Sequence, residues 1–217
     1  MFLESLESRR LLSVSAVSLQ VAADRAQIHA DLVKFRSDCE TQCATLMADC
    51  AALKAADLGK DATLKPLFKT LRTDVKAMEV QLDGDRLAQS AATLKDESNI
   101  VTDRLNILND KGNKTKEAAD HAQLLTDIIQ LQTDDVAGLT ARLGTRTSDF
   151  TQISADLTAI TTAIGSDTGA SPALAAAVNK FVTDRGTFLS TISGDIQNLI
   201  NDRGQLIKDL TAMESQT

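Results

Sequence analysis

Cys39, Cys43 and Cys50 are the side chains of this sequence whose type and spacing come closest to a reactive constellation. Residues i and i+4 share one face of a helix, so Cys39 and Cys43 could offer two thiolates to a soft metal or to redox chemistry. Cys50 stands seven residues past Cys43, about 10 Å along a helix axis, too far to complete the same site. His29 lies about 15 Å from Cys39 in the other direction, and His121 is the remaining histidine. A tetrahedral zinc site would take its other ligands from facing helices, and those carry no cysteine. The same three positions also suit cysteine as a small core hydrophobe. An odd count does not build a disulfide framework, although one intermolecular bridge stays open to it.

Other catalytic patterns are missing. Neither histidine has a Ser or Cys partner in a nucleophile-like context, and there is no phosphate-binding glycine loop or Glu-x-x-His pair. The sequence therefore assigns no catalytic, cofactor-binding or metal-ligating residue and predicts a protein that is not an enzyme. Asn113-Lys114-Thr115 forms a glycosylation-type sequon on a turn. Asp-Arg dipeptides occur at 24–25, 85–86, 103–104, 184–185 and 202–203. Arg25, Arg146, Arg185 and Arg203 fall on or beside the apolar ladders of the helices. They could form buried charged layers that bind an anion or fix a helix's partner. Alternatively their stems lie on the seam with the heads in water, assisted by interhelical Asp contacts.

The elements that must position these residues are helices. Of 217 residues 43 % are hydrophobic, so the chain can bury a core. It has 6 Phe, no Trp, no Tyr and only 2 Pro. Sparse prolines and abundant Ala and Leu favour long uninterrupted helices, while the frequent turn signals of a β protein are lacking. Formal net charge is −7 and the acids are scattered. With no basic stripe beyond the Lys111, Lys114 and Lys116 cluster at a turn, nucleic-acid binding is not expected. No apolar run is long enough to predict a transmembrane segment.

Hydrophobic spacing gives the helices their faces. From Ala122 through Leu125, Ile129, Leu139, Phe150, Ile153 and Ile160 to Ile164, steps of three and four alternate without a slip. That 3.5-residue period marks a left-handed supercoiled seam. The last stretch repeats it from Leu174 through Phe181, Ile192 and Leu206 to Met213. The first runs Val14, Val21, Ile28, Leu32, Phe35, Cys39, Cys43, Leu46, Cys50 and Leu53. The second runs from Leu64 to Leu82, skips five positions, and resumes at Leu87, Ala91, Leu94, Val101, Leu105 and Leu108. The skip straddles Asp83-Gly84-Asp85 and predicts a kink or short break. Gly59 with Asp61 or Thr63, Gly112-Asn113, and Gly165 through Ser171-Pro172 supply C′ glycines and N-caps. The fold class expected is all-α: an elongated antiparallel four-helix bundle with coiled-coil-like heptad seams.

The two halves resemble each other. Ala22, Ala23, Asp24, Ala26, Gln27, Asp31 and Asp38 recur 96 positions on. Asp85, Arg86, Asp96, Asn99, Asp103, Arg104 and Asp110 recur 99 positions on. A duplicated helical hairpin accounts for this. The organisation expected is a short N-terminal segment (1–13), hairpin one (14–111) and hairpin two (112–217), both packed as one bundle.

The opening residues Leu3-Glu4-Ser5-Leu6-Glu7-Ser8-Arg9-Arg10-Leu11-Leu12-Ser13 resemble the N-terminal LEPR-XLL-type motif of exported or surface-associated bacterial proteins. Leu6, Glu7 and Arg9 match its Leu-Glu-x-Arg portion, with Ser8 in place of its proline. Leu11, Leu12 and Ser13 match the motif's closing residues. The resemblance covers residues 3–13. It implies sorting to the cell envelope or exterior (periplasm, cell surface or medium); a cytoplasmic location is the alternative. Arg9-Arg10 before the mildly apolar stretch Leu11–Leu19 also fits a twin-arginine signal. Together these features predict a structural or interaction protein that engages a protein partner or itself. The alternative is a small-ligand or soft-metal-binding helical bundle using the Cys39/Cys43/Cys50 face.

Overall fold

A computed structural model describes residues 2–56, 58–167 and 169–215, with side chains from residue 17 onward. Four helices account for almost all of it: α1 (Phe2–Ala55), α2 (Leu64–Asn109), α3 (Lys114–Ser166) and α4 (Pro172–Glu214). A single 3-10 turn, Leu58–Lys60, lies between α1 and α2, and no strand occurs among the described residues. The helices pack as α1 on α4, α4 on α3 and α3 on α2, an all-α four-helix bundle. The sorting-like segment 1–13 enters α1 as backbone from Phe2; its side chains lie outside the described residues.

Helix ends follow local chemistry. Asp61 Oδ1 accepts hydrogen bonds from the Thr63 and Leu64 amides, both at 2.8 Å, capping α2. Ser171 Oγ caps α4 by accepting from the Leu174 amide at 3.1 Å, with Pro172 at the first helical position. Gly112 takes φ +97°, a left-handed turn between α2 and α3 that side chains with a Cβ resist. Gly59 instead sits within the 3-10 turn and needs no such freedom.

Two compact units divide the chain, each taking a segment of all four helices. Unit 1 comprises Met1–Leu32, Asp85–Thr140 and Asn198–Thr217; unit 2 comprises Val33–Gly84 and Ala141–Gln197. Unit 2 holds a continuous apolar core in which Leu64, Ile153, Ile160, Val178 and Leu189 are buried. The α3 and α4 ladders point inward there, as their spacing predicts. Unit 1 buries Val21, Ile28, Ile100, Leu125, Leu139, Leu199, Leu206 and Leu210.

The second half of α2 departs from expectation twice. The helix continues from Leu64 to Asn109 without a break at Asp83-Gly84-Asp85. Beyond Gly84 its inward face is Gln89, Asp96, Ile100, Asp103 and Ile107, all buried or half-buried. Leu87, Leu94, Val101, Leu105 and Leu108 face outward. The three-four spacing of inward residues continues past Leu82 through Asp85 and Gln89. The seam changes from apolar to polar residues instead. On α1, likewise, Leu32, Cys43 and Cys50 are exposed despite lying on the apolar ladder.

Candidate functional site

The cysteines are not assembled into a centre. Cys39 is half-buried, Cys43 and Cys50 are exposed, and all three are free thiols. Burial raises the Cys39 thiol above its ordinary pKa, with Arg146 acting in the opposite direction. His29 and His121 are both exposed. Among the described residues no group of three or more His, Cys, Asp or Glu side chains is placed to hold a metal ion.

What the fold does bring together is aspartate. In unit 1, Asp24 on α1 faces Asp209 on α4, and Asp31 faces Asp202. A step of seven up α1 is matched by a step of seven down α4, as antiparallel heptads require. The same occurs between α2 and α3, where Asp96 faces Asp134 and Asp103 faces Asp127. In each pair the two carboxyls lie close enough to act on one another, which disfavours charging both. The Asp202 pKa is raised to about 6, first by the facing Asp31 carboxyl and then by burial. Asp24, Asp96 and Asp103 are raised too, with burial the leading cause.

Unit 2 contains related aspartate pairs, two of which are neutralised by lysine. Lys34 Nζ donates to Asp38 Oδ2 at 2.7 Å and to Asp195 Oδ1 at 2.5 Å. Lys180 Nζ donates to Asp49 Oδ1 at 2.6 Å and to Asp184 Oδ2 at 2.5 Å. Both lysines are pushed above the usual lysine range, chiefly by these hydrogen bonds. A third pair, Asp74 on α2 with Asp156 on α3, resembles those of unit 1, and burial raises the Asp156 carboxyl.

Several of the repeated aspartates are those that pair. Asp24, Asp31 and Asp38 on α1 correspond to Asp120, Asp127 and Asp134 on α3, 96 positions on. Asp96 and Asp103 on α2 correspond to Asp195 and Asp202 on α4, 99 positions on. Apolar periodicity alone could not have flagged these aspartates as seam residues. Their seven-residue recurrence could have.

The arginines divide. Arg203 on α4 donates to Gln132 Oε1 at 2.8 Å and to Asp135 on α3. Asp135 also accepts from Gln89 Nε2 of α2 at 2.8 Å, so one carboxylate ties three helices of unit 1. Arg25 is exposed. Arg185 is half-buried and lies 5.3 Å from the Phe188 ring centroid.

The outward face of α2 in unit 1 carries a run of exposed apolar side chains. Leu87, Leu94, Val101 and Leu108 are 73, 67, 55 and 68 % exposed, and each is seven residues from the next. No protein-family model, no curated protein and no solved structure matches this chain. No helix among the described residues is long and apolar enough to cross a membrane.

Proposed function

We propose that this chain is a non-enzymatic structural and interaction protein, exported to the cell envelope or exterior, whose α2 face receives a partner helix. The partner helix belongs to another protein or to a second copy. The observation that carries this reading is the heptad-spaced exposed stripe Leu87, Leu94, Val101 and Leu108. Isolated exposed leucines are ordinary, but a seven-residue apolar stripe is the pattern with which one helix zips onto another. Each such side chain contributes about 1.5–3 kcal/mol when fully buried, a strong incentive to association. Export rests on the resemblance of Leu3–Ser13 to a sorting motif, and the paired polar repeats favour a duplicated hairpin.

A photo-crosslinking residue placed at position 94 in cells tests the interface. A discrete crosslinked product is expected there and not from position 76, where Lys76 is also exposed on α2. Absence of any product at 94, together with a single-chain mass for the purified protein at high concentration, would sink the reading. Cell fractionation tests the compartment separately.

A further inference from the structure

Within unit 2, α1, the 3-10 turn and α2 border a groove of about 620 Å³ whose far side is α4. Its floor is apolar: Leu46, Leu53, Leu71 and Phe181 are buried beneath it. The Phe68 and Phe181 rings meet at 5.5 Å between centroids and close that floor. The volume is that of a small-molecule site.

The rim has the opposite character. Lys54, Lys65, Lys69 and Arg72 line the groove, all exposed, and none forms an ion pair among the described residues. Arg185 reaches it from α4, with its Nε buried and accepted by no oxygen. Glu79 is the acid that acts on Arg185, and it does not line the groove. The chain as a whole carries net charge −7. Five cations around one apolar trough are therefore a local reversal of the protein's charge, and an apolar body with an anionic end complements it.

We infer that this groove binds a long-chain fatty carboxylate, with the acyl chain on the Leu46–Leu53–Leu71–Phe181 floor and the carboxylate at the basic rim. The site goes beyond the α2 interface proposed above and uses none of its residues. An aliphatic chain gains about 0.8 kcal/mol for each methylene it buries, and the exposed cations of the rim give the carboxylate charge-assisted donors. Lys54, Lys65, Lys69 and Arg72, which form no ion pair among the described residues, favour this ligand over a neutral apolar one.

Cys50 lines the groove and is exposed, whereas Cys43 lies on the same helix outside it. Alkylation of the full chain, followed by mass spectrometry, therefore reports occupancy at a named position. Dodecanoate below its micellar concentration is expected to slow Cys50 alkylation saturably, about tenfold at ten times its Kd, and to leave Cys43 unchanged. Dodecyltrimethylammonium, with the same chain and the opposite head, is expected to give no protection. The surface variant Lys65→Gln/Lys69→Gln/Arg72→Gln should weaken dodecanoate binding about tenfold or more, as the loss of charge-assisted contacts requires. Arg185→Gln should do the same if circular dichroism shows it folded. The exposed triple variant keeps the test decisive if it is not. Equal protection by the cationic detergent, equal slowing at Cys43, or undiminished binding by the triple variant would overturn the inference. So would concentration-dependent protection of Cys50 without ligand, which would make a second copy the occupant.

Discussion

Asp31 on α1 and Asp202 on α4 face one another carboxyl to carboxyl across a helix seam, and that neighbour, with burial, raises the Asp202 carboxyl pKa to about 6. An unfolded chain releases the same proton near the ordinary aspartate value of 3.8. Below about pH 4 both states are protonated and the pair is at its most favourable. As pH rises from about 4 to 6, the unfolded state deprotonates first, so stability falls until the folded pair has deprotonated as well.

Asp24, Asp96, Asp103 and Asp156 shift in the same direction. Thermal unfolding should therefore give a higher Tm near pH 5 than near pH 7.5. Asp38, Asp61 and Asp184 are lowered instead, by Lys34, by the Leu64 amide and by Lys180 respectively, so their contributions are lost below about pH 4. A Tm that rises steadily from pH 5 to pH 8 would contradict the raised aspartate carboxyls.

Asp202→Asn removes the like-charge contact at neutral pH and leaves an amide that can donate to Asp31. It should stabilise the protein at pH 7.5 by roughly 1–2 kcal/mol, after allowance for solvent screening. That corresponds to about 2–8 °C in Tm for a chain of this size. The gain should shrink toward pH 4, where the wild-type pair is already protonated. Calorimetry at the two pH values checks both statements.

Lys180→Met leaves Asp49, 2 % exposed, without its cation. A loss of stability is expected, smaller than for a fully enclosed pair because the Lys180 ammonium is itself solvated. Adding Asp49→Asn to Lys180→Met should recover most of the loss. Urea denaturation of the two singles and the double gives the coupling directly; additive losses would show that the bridge contributes nothing.

Neighbouring positions on α2 separate the two candidate seams. Ile100→Ala should cost about 2–4 kcal/mol because Ile100 is buried. Leu94→Lys should change the stability of the isolated chain by less than about 0.5 kcal/mol. A large loss for Leu94→Lys in a protein shown to be monomeric would place the apolar ladder inward after all.

The helical class, the caps at Asp61 and Ser171, and the inward faces of α3 and α4 were readable from the sequence by itself. Their apolar residues recur every three to four positions, and on α4 only Arg185 and Arg203 interrupt them. The polar repeat was readable too, as seven-residue steps of Asp24, Asp31 and Asp38 and of Asp96, Asp103 and Asp110. What that repeat did not disclose was that its aspartates face one another, since a lone sequence gives periodicity but not the register between helices.

Tertiary packing alone decided which side of α2 turns inward beyond Gly84. There the burial of Ile100 together with Asp96 and Asp103 leaves Leu87, Leu94, Val101 and Leu108 outside. The physical reason is that a helix has one orientation about its axis, set jointly by every contact it makes. Beyond Gly84 the cross-helix carboxyl pairs and Ile100 take one face of α2, and the outer leucines lie on another. Hydrophobicity marks the side chains that gain from burial; only the neighbouring helices determine which of them are reached.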